Sequence, residues 1–228
     1  KVINIMIMSI FGLENKITFE EGKINVLEIY NKKFFRRMIE ILNGEEEAED
    51  NEIVFLDNEK RVDLKKNVFV LTDLFNIDFN SKKIITKIYN ELIENIKKRQ
   101  DDELENLTIK LRNYLIEEIN ELPFEFNINS ELEINDLLKV FNLKIDTTCY
   151  TTIVEKIEFI INIIANLEIA SILVIPNLKV YLDKEEIIEI YKYSLYNNIK
   201  LLVLENSSNE NIENYEIKNI IDKEFDEF

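Results

Sequence analysis

Two short apolar runs in the C-terminal third of the chain give its clearest structural signal. They span residues 171–176 and 200–205, and both are almost continuously apolar, as expected of strands that are covered on both faces. Between them, Ile187 and Ile190 follow helical spacing, and Asp183 stands where it can cap that helix. A strand, a helix and a second strand in this order predict a βαβ unit with parallel strands.

Each of these strands has a polar residue at or just after its carboxyl end, Asn177 and Glu205 respectively. The run that ends in Glu205 is similar to the strand with a terminal acid that follows the phosphate loop of ATPases. A phosphate loop needs two glycines, a lysine and a serine or threonine, whereas the only glycines of the chain are Gly12, Gly22 and Gly44. The simpler interpretation is a buried strand that happens to end in glutamate.

The rest of the pattern predicts short strands at both ends of the chain and long helices between them. Predicted strands lie at residues 2–11, 16–19, 23–29, 52–56, 68–71 and 143–146, and predicted helices at 32–42 and 151–167. The acidic tail that follows residue 209 is predicted to form a short helix. From about residue 80 the apolar residues take helical spacing, which continues to residue 141. The sequence therefore predicts an α/β head domain of residues 1–79 and 142–228, with an all-helical domain of residues 80–141 inserted.

Composition restricts the chemistry that is available to the chain. Of its 228 residues 46% are hydrophobic, the formal net charge is −17, and there is no histidine and one cysteine, Cys149. These counts exclude a disulfide within the chain, a Cys/His zinc site and a nucleophile assisted by histidine. We therefore expect no enzymatic activity, and we expect Cys149 to be buried. No apolar run reaches the length of a membrane span, so a cytoplasmic location is expected.

Acidic side chains are concentrated between residues 113 and 138, where no lysine or arginine occurs. Oxygen ligands without a soft donor suit Ca²⁺ better than a transition metal. The candidate calcium ligands are Glu118, Glu121, Glu125, Glu131 and Asp136. The alternative is a solvated acidic face that holds no ion.

Basic side chains are concentrated elsewhere, on the first two predicted helices of the insertion. These basic residues are Lys82, Lys83, Lys87, Lys97, Lys98, Arg99, Lys110 and Arg112. Lys83 and Lys87 share one helical face. The simplest interpretation is the ordinary solvated side of an amphipathic helix.

The order of these segments resembles one known family over essentially the whole chain. The segments that carry the likeness are residues 22–29, residues 71–81, the acidic window of residues 115–138 and residues 201–205. They resemble the CRISPR-associated Csn-two (Csn2) family, the small spacer-acquisition proteins of subtype II-A CRISPR systems. None of the segments is a catalytic signature, so the likeness rests on the series.

This resemblance implies a P-loop-ATPase-like head without a phosphate loop, plus an inserted all-helical leg domain. It implies a homotetrameric ring, stabilised by bound calcium, that takes double-stranded DNA, especially free ends, through its central hole. The predicted DNA-binding residues are then the eight basic side chains of the first two helices of the insertion, Lys82, Lys83, Lys87, Lys97, Lys98, Arg99, Lys110 and Arg112. It also implies a role in antiviral defence beside the CRISPR integrase pair and effector nuclease during spacer acquisition, with no membrane partner.

Two other functions are compatible with the sequence. The first is a degenerate P-loop ATPase-like regulator that acts through protein–protein contacts only. The second is an active nucleotide hydrolase, for which the missing glycines leave no phosphate loop.

Overall fold

A computed structural model describes residues 6–44, 52–99, 103–127, 133–207, 210–224 and 226 of the chain. The chain divides into two compact units. One consists of Lys1–Phe79 together with Thr147–Phe228, and we call it the α/β unit. The other is Asn80–Asp146, and we call it the helical unit.

The described elements are strands and helices in the α/β unit and helices alone in the helical unit. The strands are β1 (Met6–Ile10), β2 (Ile17–Phe19), β3 (Ile24–Ile29), β4 (Ile53–Asp57), β5 (Lys60–Arg61), β6 (Val68–Val70), β7 (Ile172–Pro176), β8 (Lys200–Glu205) and β9 (Glu216–Ile221). The helices are α1 (Lys32–Asn43), α2 (Leu64–Asn67), α3 (Lys82–Arg99), α4 (Glu103–Asn120), α5 (Ile134–Val140), α6 (Ile153–Asn166), α7 (Leu178–Tyr181) and α8 (Lys184–Tyr196).

A parallel five-stranded sheet in the order β6-β7-β8-β3-β9 forms the centre of the α/β unit. Strands β3 and β7 are buried at every position, and β8 at every position after its first, as the continuous apolar runs predicted. The predicted βαβ unit is confirmed, since β7 and β8 pair in parallel on either side of α8. Asp183 caps α8 as predicted, because its side chain accepts a hydrogen bond from the Glu186 backbone N–H.

A second, antiparallel sheet in the order β2-β1-β4-β5 belongs to the same unit. Its strand β1 alternates between buried and half-buried positions, so Met6, Met8 and Ile10 lie on one face. They share a core with α1 and with the inner residues of the parallel sheet. The predicted start of α1 is confirmed by Asn31, whose side chain accepts from two backbone N–H groups of the first turn.

The helical unit contains three described helices, α3, α4 and α5. The Tyr89 hydroxyl of α3 donates to the Leu138 carbonyl of α5 at 3.2 Å. At the two ends of the unit, the Ile145 N–H donates to Asn80 Oδ1 at 2.7 Å, and Asn80 Nδ2 donates to the Ile145 carbonyl at 3.3 Å.

Three expectations from the sequence are wrong. Residues 143–146 form no strand, and the tail forms strand β9 instead of a helix. The tail is a strand because it completes the edge of the parallel sheet beside β3, with Ile24 opposite Glu216 and Ile29 opposite Ile221, and this tertiary pairing overrides local preference. Cys149 is exposed, because it lies in the turn closed by the hydrogen bond from the Tyr150 N–H to the Thr147 carbonyl.

Candidate functional site

Helix α3 carries six of the eight predicted DNA-binding residues. Five of them are exposed: Lys82, Lys87, Lys97, Lys98 and Arg99. Lys83 is half-buried and has a partner. The helix has two acidic side chains, Glu91 and Glu94, so its formal charge is +4 in a chain of charge −17. Lysines and an arginine in its last turn also suit the negative end of the helix dipole.

The other two predicted DNA-binding residues lie on α4, where their exposure differs. Lys110 is exposed, whereas Arg112 is half-buried. Helix α4 has four acidic side chains against these two basic ones, so its formal charge is −2. The positive charge of the helical unit is therefore concentrated on α3.

The predicted calcium ligands are exposed where the structure describes them. Glu118 lies in the last turn of α4, Glu121 and Glu125 follow that helix, and Asp136 lies in the first turn of α5. Asp136 forms an ion pair with Lys139 at 3.0 Å. Glu131 lies outside the described residues.

These acids do not form a ready metal centre. Among the described residues, no group of three or more His, Cys, Asp or Glu side chains could hold a metal ion. The described oxygens therefore do not fit a calcium ion as they stand, and we derive no step of the function through calcium.

Among the described residues, the buried acidic side chains lie in the α/β unit, on one face of the parallel sheet. Glu28 of β3 and Glu205 of β8 are directly opposite each other in register, and both are fully buried. Lys218 of β9 pairs with Glu28 at 2.7 Å, and the Tyr30 hydroxyl donates to Glu28 at 3.1 Å. Glu28 is thus compensated by a cation on the neighbouring strand.

Lys179 connects two acids of this face. Its backbone N–H donates to Glu205 Oε1 at 2.9 Å, and its Nζ lies 2.7 Å from Glu216 Oε1. The Tyr191 hydroxyl of α8 donates to the same Glu216 oxygen at 2.8 Å. Burial raises the pKa of Glu205 to about 7, against the lowering effect of Lys179. We call Glu28, Lys179, Glu205, Glu216 and Lys218 the buried charged face.

The connection from β3 to α1 is short. Only Tyr30 and Asn31 separate the two elements. The Asn31 side chain accepts from the Lys33 and Phe34 N–H groups at 3.1 and 3.2 Å. Two of the backbone donors that could bind an anion at this helix start are therefore already used.

Sequence reasoning identified Glu205 but missed its partners. Glu28 has the same signal as Glu205, an acid close to the carboxyl end of an apolar strand. Lys179 and Glu216 have no such signal, because they are 37 positions apart in sequence and meet only in the folded chain.

Comparison with known proteins gives a consistent result. The family model described as CRISPR-associated protein (Cas_Csn2) matches residues 46–225. A CRISPR-associated protein Csn2 of Enterococcus faecalis is 26% identical over 199 residues, which cover 85% of this chain and 86% of the relative. A CRISPR-associated protein Csn2 of Streptococcus agalactiae is 28% identical over 150 residues, which cover 63% of this chain and 65% of the relative.

Among solved structures, the ATP-binding cassette of an ABC transporter in its ADP conformation is similar at 14% identity and a TM-score of 0.47. The similarity covers 95% of this chain and 87% of the cassette. No helix in the described part of the chain has the length and apolar character that crossing a bilayer requires.

Proposed function

Because the chain belongs to the Csn2 family of CRISPR-associated proteins, we propose that it acts in spacer acquisition by binding double-stranded DNA without reading its sequence. In this proposal four copies form a ring, and the duplex enters the central hole by a free end. The protein has no catalytic role of its own and acts beside the CRISPR integrase pair and the effector nuclease.

The observation that carries the proposal is the charge of α3. An acidic chain repels DNA unless its cations are segregated, and α3 carries a formal charge of +4 with five of its six cations exposed. Its 18 residues make a helix about 27 Å long, which is enough to pass several phosphates of a duplex. Contacts with phosphates position a protein on DNA and carry no sequence information.

Assembly into a ring is supported by the exposed apolar side chains of the helical unit. They are Leu107, Ile109, Leu111, Tyr114, Leu115, Leu122, Phe124, Phe126, Val140, Phe141 and Leu143. Exposed apolar patches of this kind are typical of surfaces that bind another protein. A ring would repeat the α3 surface around the duplex and so multiply the phosphate contacts.

Calcium belongs to the proposal through the family, and the DNA contact is argued without it. Glu118, Glu121, Glu125, Glu131 and Asp136 would supply its ligands, and a bound ion would offset part of the negative charge of the helical unit.

The alternative function is regulation through protein–protein contacts alone. The net charge of −17 and the short β3–α1 connection favour a protein that binds neither nucleic acid nor nucleotide. A salt-dependent shift of duplex DNA separates this alternative from our proposal. Phosphate release from ATP, expected at background level, tests the nucleotide hydrolase.

The direct test compares linear and closed circular duplexes of the same sequence. Linear DNA should be retained and closed circles lost, and the log–log slope of affinity against salt should be about −0.9 per neutralised phosphate. Changing Lys83, Lys87, Lys97 and Lys98 together to alanine should lower the affinity and leave the tetramer intact.

A matched variant controls for the loss of four charges. Lys16, Lys32, Lys60 and Lys66 are exposed in the α/β unit, and changing them to alanine removes the same charge from another surface. If the α3 variant binds linear duplex as well as the parent does at several salt concentrations, the assignment of DNA binding to α3 is wrong.

A further inference from the structure

Most of the exposed large apolar side chains in the described part of the α/β unit lie together. Phe11 and Tyr196 are separate from the rest, and the other three are Phe75, Val180 and Tyr181, each at least half exposed. These three follow β6 and β7, two neighbouring parallel strands. They therefore lie at the carboxyl edge of the sheet, where α/β proteins usually bind their ligands. We call Phe75, Val180 and Tyr181 the edge patch.

The two aromatic rings of the edge patch form a defined pair. The ring centroids of Phe75 and Tyr181 are 5.2 Å apart and the ring planes meet at 83°, which is a favourable edge-to-face arrangement. Phe75 is 53% exposed and Tyr181 is 50% exposed despite this contact. Half of each side chain is therefore available to a partner.

Hydrogen bonds fix the backbone on the Phe75 side of the patch. Asp73 Oδ1 accepts from the N–H groups of Phe75 and Asn76, both at 2.9 Å. Lys156 Nζ of α6 donates to the Phe75 carbonyl at 3.3 Å. The position of the ring is thus set by α6 as well as by its own turn.

The buried charged face fixes the other side. Lys179, next to Val180 in α7, is held through its backbone by Glu205 and through its Nζ by Glu216. The Lys179 side chain is only 5% exposed. Val180 and Tyr181 follow directly on this anchor, and a surface that is held in place before binding loses less entropy on binding.

Two exposed carboxylates near the patch, Asp73 and Asp183, outnumber the lysine that contacts it, Lys156, which donates to the Phe75 carbonyl. The hydrogen bond from the Asn76 side chain, followed by those from the Asn76 and Phe75 N–H groups, lowers the pKa of Asp73, so it is ionised at neutral pH. Asp183, two residues after Tyr181, is also exposed. The lysines of this segment are engaged elsewhere, Lys179 with Glu216 and Lys184 with Glu210 at 3.1 Å.

We propose that the edge patch is a docking surface for a segment of another protein that presents arginine or lysine next to an apolar side chain. A guanidinium group can lie on the face of Phe75 or Tyr181 while Asp73 and Asp183 balance its charge. Phosphate groups of DNA would meet these carboxylates and be repelled. The inference does not depend on DNA binding by α3, because it uses no residue of the helical unit.

The chain has no tryptophan, so a single substitution places a specific fluorescent reporter in the patch. In the full-length Tyr181→Trp variant, a short acetylated peptide of alternating arginine and leucine should change the emission and saturate. The matched peptide with glutamate in place of arginine should produce no change. Val180→Trp is a second reporter, for use if Tyr181→Trp fails to fold by circular dichroism.

Further variants test the two parts of the patch separately. In the Tyr181→Trp background, the double change Asp73→Asn and Asp183→Asn removes two charges but keeps the side-chain oxygens that cap the backbone. It should lower the affinity for the arginine peptide about fivefold, which is the equivalent of two exposed ion pairs. Phe75→Ser should lower the affinity for the arginine peptide about tenfold, as expected for an aromatic anchor. Tyr196→Trp, at a position that is 85% exposed on α8, is the control and should not respond.

Four results would overturn the proposal. They are an absent or non-saturating response, an equal response to the glutamate peptide, a response to duplex DNA, and a response that follows the concentration of the protein itself. The last would show that a second copy occupies the patch instead.

Discussion

The α/β unit and the helical unit place their apolar side chains in opposite ways. Strands β3 and β7 are buried at every position. Helix α4 has no buried residue, although it is 18 residues long. Leu107, Leu111 and Leu115, which share one face of α4 at a spacing of four residues, are 62%, 50% and 46% exposed.

The two units therefore differ in how far they bury their own apolar side chains. The α/β unit buries its own core and pairs the lysines and glutamates that lie inside it. The described part of the helical unit has many exposed apolar side chains, as is typical of surfaces that bind another protein. We infer that the α/β unit determines the stability of one chain, whereas the helical unit determines the assembly of several.

The largest expected effect comes from breaking the buried charged face. Lys179→Met leaves Glu216 buried without its cation, and it should lower the free energy of unfolding by about 3–5 kcal/mol. The control is Lys184→Met, whose pair with Glu210 is exposed, and which should cost less than about 1 kcal/mol. Urea unfolding followed by circular dichroism measures both. Equal losses would show that the buried charges do not determine the stability of this unit.

The same face predicts a dependence on pH. Burial raises the pKa of Glu205 from 4.5 to about 7, so folding takes up a proton in this range. The free energy of unfolding should therefore be highest below pH 4.5 with respect to this group and fall by up to about 3 kcal/mol as pH rises through 7. Glu205→Gln should remove that part of the slope in urea unfolding measured at several pH values.

The exposed acid Glu155 should contribute a pH dependence of stability with the opposite sign, and it serves as a control. Hydrogen bonds from the Thr152 and Thr151 N–H groups lower the pKa of Glu155. Its contribution to stability is therefore present above its ordinary pKa and lost as pH falls. Glu155→Gln, which can keep the capping box, should leave the Glu205 slope unchanged. A parent slope that persists in Glu205→Gln would assign the effect to another group.

Calcium should affect the helical unit. If Glu118, Glu121 and Asp136 bind Ca²⁺, a hundredfold excess over the dissociation constant should stabilise the fold by about 2.7 kcal/mol. The measurement is the melting temperature in calcium against a chelator, with magnesium as the control ion. The predicted site would be refuted if the melting temperature were the same in calcium and in chelator. It would also be refuted if calcium raised the melting temperature of the variant with Glu118 and Glu121 changed to Gln as much as that of the parent.

The smallest effect on stability is expected on α4. Changing Leu107, Leu111 and Leu115 to alanine should alter the free energy of unfolding by less than about 0.5 kcal/mol per residue, because these side chains are exposed. It should nevertheless shift the assembly from tetramer towards smaller species in sedimentation velocity. Leu202→Ala in the sheet core is the opposite case, with an expected loss of about 2–5 kcal/mol and no change in assembly. A stable tetramer of the α4 variant would exclude this stripe from the interface.

Much of the fold could be predicted because its signals are local. The buried strands β7 and β8 are continuous apolar runs, and Asp183 caps the helix between them. Strand β9 could not be predicted, because the sequence of the C-terminal tail that forms it has no distinctive local pattern. This segment becomes a strand by pairing with the edge of β3. Pairing between distant segments is set by the tertiary structure, which a linear pattern does not contain.

The candidate site shows the same limit. The cations of α3 could be read from the sequence, because neighbouring positions on one helix lie close together in space. The edge patch and the buried charged face could not, since Phe75 meets Tyr181 and Lys179 meets Glu216 only after the strands have assembled.

The reciprocal hydrogen bonds between Asn80 and Ile145 affect how the chain tolerates insertions and deletions in the helical unit. These residues are 65 positions apart, yet they bring both ends of the helical unit to one point. The two hydrogen bonds close the helical unit into a loop, and each doubling of the length of such a loop adds only about 0.6 kcal/mol to the entropic cost of closing it. Helices α3 and α4 can therefore lengthen or shorten at little cost in closure entropy, while the strands on either side of the insertion keep their register.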